Sequence, residues 1–274
     1  MDRFVFDFFL DKPDETTVRL LSQEDVPITK KDAERHTDNN CPYAVPTVKD
    51  IVKQIDDASV FHDKDRFLSD LFCCGALAIS NLADFTQYTE REEQYKQIMK
   101  NYSEKERVAM VDIFGKIFGL LSSVVYDDGA FSDYLGEIFM QCNMGNKHAG
   151  QFFTPYHVSK MCAKIAIGTP NKADGKILTL CEPCCGSGGM VLAAMDVLKN
   201  DFGINYARDC FVDCSDIDLR CVHMAYLQLS LAGVPAIVKH QDTLTGKLYS
   251  VWKTPALVLQ YMRFREYLYS NKPI

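Results

Sequence analysis

Residues 182–190 read Glu182-Pro183-Cys184-Cys185-Gly186-Ser187-Gly188-Gly189-Met190. The apolar run Ile177-Leu178-Thr179-Leu180-Cys181 before them predicts a buried strand, and Val191-Leu192-Ala193-Ala194-Met195 after them predicts the start of a helix. A strand, a glycine turn and a helix N-terminus in that order can cradle a small nucleotide-like ligand. The glycines let the backbone turn sharply and approach closely, and the helix start offers free N–H groups. The acid ahead of the turn suits a ligand with a positive charge better than a pyrophosphate.

Three more polar elements stand at comparable places. Gly150-Gln151-Phe152-Phe153-Thr154-Pro155 precedes the first strand. Asp216 and Asp218 follow the strand-like run Cys210–Cys214, and Gln241-Asp242-Thr243-Leu244 follows Ala236-Ile237-Val238. Each strand thus presents a polar residue at its carboxyl end, where open α/β sheets bind ligands. Asp216 is placed to accept from ribose hydroxyls and Asp242 from an adenine amine. Glu182 can neutralise a cationic amino-acid end, with Pro183, Gly186 and Gly188 shaping the turn. Phe153, Thr154 and Pro155 can form a lid. S-adenosylmethionine, a sulfonium with an amino-acid tail, fits this set.

The positioning elements change character along the chain. Residues 1–44 begin with a possible hairpin, Phe4–Leu10 and Thr16–Leu21 about a turn at 11–15, and continue as polar loop. From Thr47 apolar residues recur with helical spacing: Val48, Ile51, Val52 and Ile55, then Phe67, Leu68, Leu71 and Phe72. Ser103 and Glu106 form a capping box ahead of a third run, and Tyr134, Leu135, Ile138 and Phe139 mark a fourth. Residues 45–147 are expected to form a helical domain, with 144–150 as its glycine-containing linker. Residues 148–274 are expected to form the ligand-binding domain, with Thr154 and Pro155 opening a helix, strands at 177–182, 210–214, 236–238 and 256–259, and helices at about 189–200 and 218–232. The fold class is α/β: a helical bundle followed by a truncated Rossmann-like parallel sheet, doubly wound.

Bulk properties narrow the function classes. Of the 274 residues, 47% are hydrophobic and 24% charged, as in an ordinary globular protein. No run of about 18 apolar residues is evident, so no membrane partner is expected. Eleven cysteines, an odd number with two adjacent pairs, suit reduced thiols and a cytoplasmic location. Cys181-x2-Cys184 and Cys210-x3-Cys214 have tolerable zinc spacing, but one pair straddles the glycine turn and the other alternates faces of a strand, so no metal is expected. The net charge of −7 divides into −10 over residues 1–147 and +3 over the rest. The first part is a poor nucleic-acid surface by itself.

Taken in order, these elements resemble the modification subunit of type I restriction-modification systems and related adenine-specific DNA methyltransferases. That family carries Gly-Gln-Phe-Tyr-Thr-Pro, with Phe153 here in place of Tyr. It also carries Asp-Pro-x-x-Gly-x-Gly-Gly-Phe, matched by Glu182 to Met190; an acid after strand two, matched by Asp216; and Gly-Asp-Thr-Leu, matched by Gln241 to Leu244. Asp133-Tyr134-Leu135-Gly136-Glu137-Ile138-Phe139 resembles the helix leading into these motifs. The similarity covers about 130–260. It implies an S-adenosylmethionine-dependent fold, methyl transfer to adenine N6 in DNA, and DNA and protein partners: a specificity or restriction-modification subunit, or a second copy.

Two departures stand against that implication. The family's Asn-Pro-Pro-Phe ends strand four; aligning 256–259 with that strand puts Tyr261, Met262, Arg263 and Phe264 there. Tyr261 and Phe264 are therefore the candidate catalytic positions, with Phe264 able to stack a flipped base. Tyr261 offers no amide oxygen and Arg263 only donors. Losing two acceptor bonds, at about 1.5–3 kcal/mol each, would slow transfer by about 10²–10⁴. Only four strands are expected, against about seven in the family, with the N-terminal hairpin or a partner to cover the open edge. The alternative function is an inactive cofactor binder acting as an anti-restriction or regulatory partner.

Overall fold

In a computed structural model of the chain, residues 46–60, 62–126, 130–143, 152–170 and 177–269 are described. The expected N-terminal hairpin, the linker at 144–150 and Gln151 lie outside them. Residues 46–274 form one compact unit.

Helices open the described chain: α1 (Val48–Ala58), α2 (Lys64–Ala83), a 3-10 turn (Phe85–Gln87), α3 (Tyr88–Met99), α4 (Glu104–Tyr126) and α5 (Tyr134–Asn143). Side chains close their first turns as the sequence predicts. Thr47 and Asp50 form a reciprocal capping box on α1. The Ser103 amide donates to Glu106 Oε2 (2.7 Å), and the Glu106 amide to Ser103 Oγ (3.4 Å). α2 is the central helix. By length and composition it could cross a membrane, but 72% of its most apolar stretch is buried inside the protein, as in a core helix. It packs against α3 and against the later helix Leu219–Leu231.

The second part runs α6 (Tyr156–Ile167), β1 (Leu178–Glu182), α7 (Gly189–Asp196), a π-turn (Val197–Asp201), α8 (Tyr206–Asp209), β2 (Cys210–Asp216), α9 (Leu219–Leu231), β3 (Ala236–Asp242), β4 (Lys247–Lys253), α10 (Pro255–Leu259) and α11 (Tyr261–Tyr269). α6 starts one residue later than expected: Pro155, not Thr154, is the capping position, and its carbonyl accepts from Val158 and Ser159. The sheet order is β1-β2-β3-β4, the first three parallel and joined through helices. Residues on one face of β2, Cys210, Val212 and Cys214, enter the large core shared with the helical layer. Phe211, on the other face, packs with Leu257 and Phe264 in a small second cluster.

Two expectations are corrected. The fourth strand is not at 256–259: Thr254-Pro255 starts helix α10 there, with proline in its first turn. The Thr254 hydroxyl accepts from the Ala236 amide (2.9 Å) and donates to the Val234 carbonyl (2.7 Å), which ties that helix start to the beginning of β3. The fourth strand is 247–253, antiparallel to β3 after a turn in which Gly246 has φ +73°, so the sheet is mixed rather than all parallel. Its anchor is Trp252, 4% exposed, set edge-on to His223 (ring centroids 5.0 Å apart) with the Arg91 guanidinium 4.0 Å above it. Arg91 Nη2 donates to the Val251 carbonyl (2.8 Å), fastening α3 to this strand.

Candidate functional site

The carboxyl ends of the three parallel strands bring Glu182, Asp216 and Asp242 to one edge. Each carboxylate accepts backbone N–H groups from the loop that follows or adjoins it. Glu182 Oε1 takes the Cys184 amide (3.2 Å). Asp216 Oδ2 takes the Gly186 amide and Oδ1 the Asp218 amide, both at 2.9 Å. Asp242 Oδ1 takes those of Leu244 (3.0 Å) and Thr245 (3.2 Å). The hydrogen bonds from Thr245 hold the Asp242 carboxyl below its ordinary value, helped by the Leu244 amide and the charge of Lys247. A carboxylate has about four acceptor directions, so each retains capacity for a ligand.

The glycine turn is fixed to this edge at several points. The Cys185 amide donates to the Ser215 carbonyl (2.8 Å). The Pro183 carbonyl accepts from Thr243 Oγ1 (2.7 Å) and Ser215 Oγ (3.1 Å). Loop one is thereby clasped to the ends of β2 and β3. Gly186 and Gly188 have φ of +54° and +95°, conformations that side-chain-bearing residues rarely adopt. A Cβ at Gly188 would lie 3.2 Å from Ala225 Cα, so this glycine also permits the close approach of α9. A Cβ at Gly186 would meet the Phe153 ring at 3.2 Å. Phe153 therefore lies over the turn, edge-on to Phe139 (5.6 Å). Thr154 and Pro155 follow it, exposed.

Not every sequence candidate reaches this edge. Phe264 is fully buried against Phe211, near the amino ends of the strands, with Ile177 and Ile237 beside it. Its neighbour Arg263 donates from Nε to the Arg208 carbonyl (2.7 Å) and from Nη2 to Asp209 (3.1 Å), and Gln260 donates to the Ala207 carbonyl (2.9 Å). All three partners precede β2. Tyr261 opens the same helix and is 40% exposed. Tyr261 and Phe264 are thus set at the opposite end of the sheet from Glu182, Asp216 and Asp242. The physical reason is the helix at 255–259, which turns the chain back beneath the sheet instead of carrying it to the carboxyl edge. Among the described residues, no three His, Cys, Asp or Glu side chains are grouped to hold a metal ion.

Sequence reasoning missed the groups beneath the turn. Asp133, 7% exposed, accepts from Ser187 Oγ (2.5 Å), Gln228 Nε2 (2.8 Å) and the Gly136 amide (3.0 Å). Gln228 also donates to the Ser187 carbonyl (2.7 Å) and accepts from the Leu135 amide (3.2 Å). The available signal was Gln228 itself, a long amide within the otherwise apolar middle of α9.

No curated protein sequence matches the chain. Among solved structures it is similar to a protein described as a class I S-adenosylmethionine-dependent methyltransferase of Listeria monocytogenes, at 16% identity and a TM-score of 0.42 over 74% of this chain and 55% of that one. It is also similar to the type I restriction-modification methyltransferase subunit of Streptococcus thermophilus, at 19% identity and a TM-score of 0.39 over 85% of this chain and 45% of that one. The chain thus spans about half the length of each. The family model for N-6 DNA methylase matches residues 129–273, just over half of the chain, including the glycine turn and all three strand-end acids. The chain belongs to the N-6 DNA methylase family.

Proposed function

We propose that this chain binds S-adenosylmethionine at the carboxyl edge of β1–β3, as the cofactor-binding part of a DNA adenine N6-methyltransferase system. The observation that carries the reading is the glycine turn fixed to that edge, with Glu182, Asp216 and Asp242 around it. The residues present fit the group. A cationic ligand suits an edge of carboxylates, and the absent side chains of Gly186 and Gly188 let Phe153 and α9 close onto the turn. In this assignment Glu182 faces the amino-acid end, Asp216 the ribose hydroxyls and Asp242 the adenine amine, with Phe153, Thr154 and Pro155 as lid and Pro183 shaping the turn. S-adenosylmethionine supplies an electrophilic methyl group when bound; the protein's part is to orient it and exclude water from it.

A second reading, favoured by the seating of Phe264 at the amino edge, is a binder that does not transfer methyl groups by itself and acts as an anti-restriction or regulatory partner. DNA, a specificity or modification subunit, or a second copy is the proposed partner class, and the cytoplasm the proposed location. A tritium-methyl transfer assay on unmethylated genomic DNA separates the two. Label in DNA with the purified chain, abolished by Asp242→Ala, supports the enzyme. No label, with cofactor retained on the protein, supports the binder.

A further inference from the structure

We propose that Asp133 is the positioning residue of the glycine turn: a buried carboxylate that sets Ser187–Gly189 for the ligand and ties the ligand site to the helical layer. The inference rests on the cofactor reading above. Asp133 caps the first turn of α5, where its Oδ1 accepts the Gly136 amide. Its Oδ2 accepts Ser187 Oγ, inside the turn. A Cβ at Gly189 would lie 2.7 Å from that same oxygen, so the carboxylate also sits against the start of α7. Two helix N-termini therefore converge on one buried carboxyl group. Gln228 of α9 completes the clamp, donating to Asp133 Oδ1 and to the Ser187 carbonyl. Three helices and the turn share one buried polar group. Burial pushes the Asp133 carboxyl up, and the bonds from Ser187, Gln228 and Gly136 oppose that shift. A buried carboxylate this well satisfied fixes geometry, because any movement of the turn leaves it unpaired.

The turn carries its own reporter. Cys185 is 5% exposed, and the hydrogen bond with Cys214, together with burial, pushes its thiol up. Cys210 and Cys221, each 1% exposed, lie on β2 and α9 and report general opening. The test uses the full chain and the variants Asp133→Ala, Asp133→Asn and Ser187→Ala. It measures S-adenosylmethionine affinity by calorimetry and site-resolved iodoacetamide labelling by peptide mass spectrometry. Asp133→Ala is expected to weaken binding about a hundredfold and Ser187→Ala about tenfold, since hydrogen bonds to the buried carboxyl are lost. Labelling of Cys185 in Asp133→Ala is expected to rise at least about tenfold, with Cys210 and Cys221 unchanged. Asp133→Asn, which keeps the Oδ1 bonds, should recover most of the Cys185 protection. Equal acceleration at all three cysteines, or unchanged Cys185 labelling in both Asp133→Ala and Ser187→Ala, would overturn the proposal. Should Asp133→Ala not fold, Ser187→Ala and Asp133→Asn decide by the same measurements. Should wild type take up no S-adenosylmethionine, the cofactor reading falls, while the Cys185 comparison still decides the role of Asp133.

Discussion

Gly188→Ala tests whether the glycine turn is built as described. Gly188 has φ +95°, and holding an L-residue there costs about 1–2 kcal/mol. The new methyl would meet Ala225 Cα at 3.2 Å and Cβ at 3.4 Å. Those atoms belong to the fully buried middle of α9, which cannot swing away as a flexible side chain can. Overpacking of this kind costs about 1–3 kcal/mol. The combined loss is about 2–5 kcal/mol, a large share of the roughly 5–15 kcal/mol that holds a domain together. Urea unfolding followed by tryptophan fluorescence is a suitable assay, since Trp252 is the single tryptophan and is packed within the same core. Gly119→Ala is the matched control. Gly119 lies inside α4 with nothing within 4 Å of its would-be Cβ, so alanine should be neutral to stabilising by up to about 1 kcal/mol. A Gly188→Ala variant within about 0.5 kcal/mol of wild type, alongside a well-behaved control, would refute the close turn–helix packing.

His223 gives a pH prediction. Burial, with the charges of His240 and Arg91 beside it, lowers its pKa to about 3. Because the folded value lies below the unfolded one, near 6.5, stability is fully present above about pH 6.5 and is lost as pH falls toward 3. The size is of order 3–5 kcal/mol, and His223→Met should flatten that part of the stability–pH curve; an unchanged slope contradicts the assignment. Phe264→Ala should cost about 3–5 kcal/mol through the cavity it leaves beside Phe211 and Leu257, yet leave cofactor affinity of the folded protein within about twofold. A large affinity loss would return Phe264 to the site. Asp216→Asn should weaken cofactor binding about tenfold or more, because an amide NH2 at the Oδ2 position cannot accept the Gly186 N–H; unaltered binding would remove Asp216 from the account.

What could be read from the sequence was local. The glycine turn announces itself because strand, glycines and helix start are contiguous, and Asp216 and Asp242 because each ends a β-branched or apolar run. Capping at Ser103–Glu106 spans four residues and needs no tertiary information. The misplaced fourth strand shows where local signals compete. Ala256-Leu257-Val258-Leu259 has strand-like composition, but Thr254-Pro255 ahead of it is a helix start, and the turn at Thr245-Gly246 makes 247–253 the return strand of a hairpin. The pairing of Asp133 with Gln228 was illegible for a different reason. Their contact joins residues 95 apart in sequence and exists only once the helical layer closes over the turn. The placement of Phe264 likewise followed from α10, not from anything in residues 261–264 themselves.

The most direct test of the central claim is calorimetric titration of the full chain with S-adenosylmethionine, beside Asp242→Ala. Single-site binding with a Kd in the micromolar range, about −8 kcal/mol, weakened in the variant, is the predicted result. Absence of heat of binding in a folded wild-type protein, or equal affinity in the variant, would contradict the assignment of the carboxyl edge as the cofactor site.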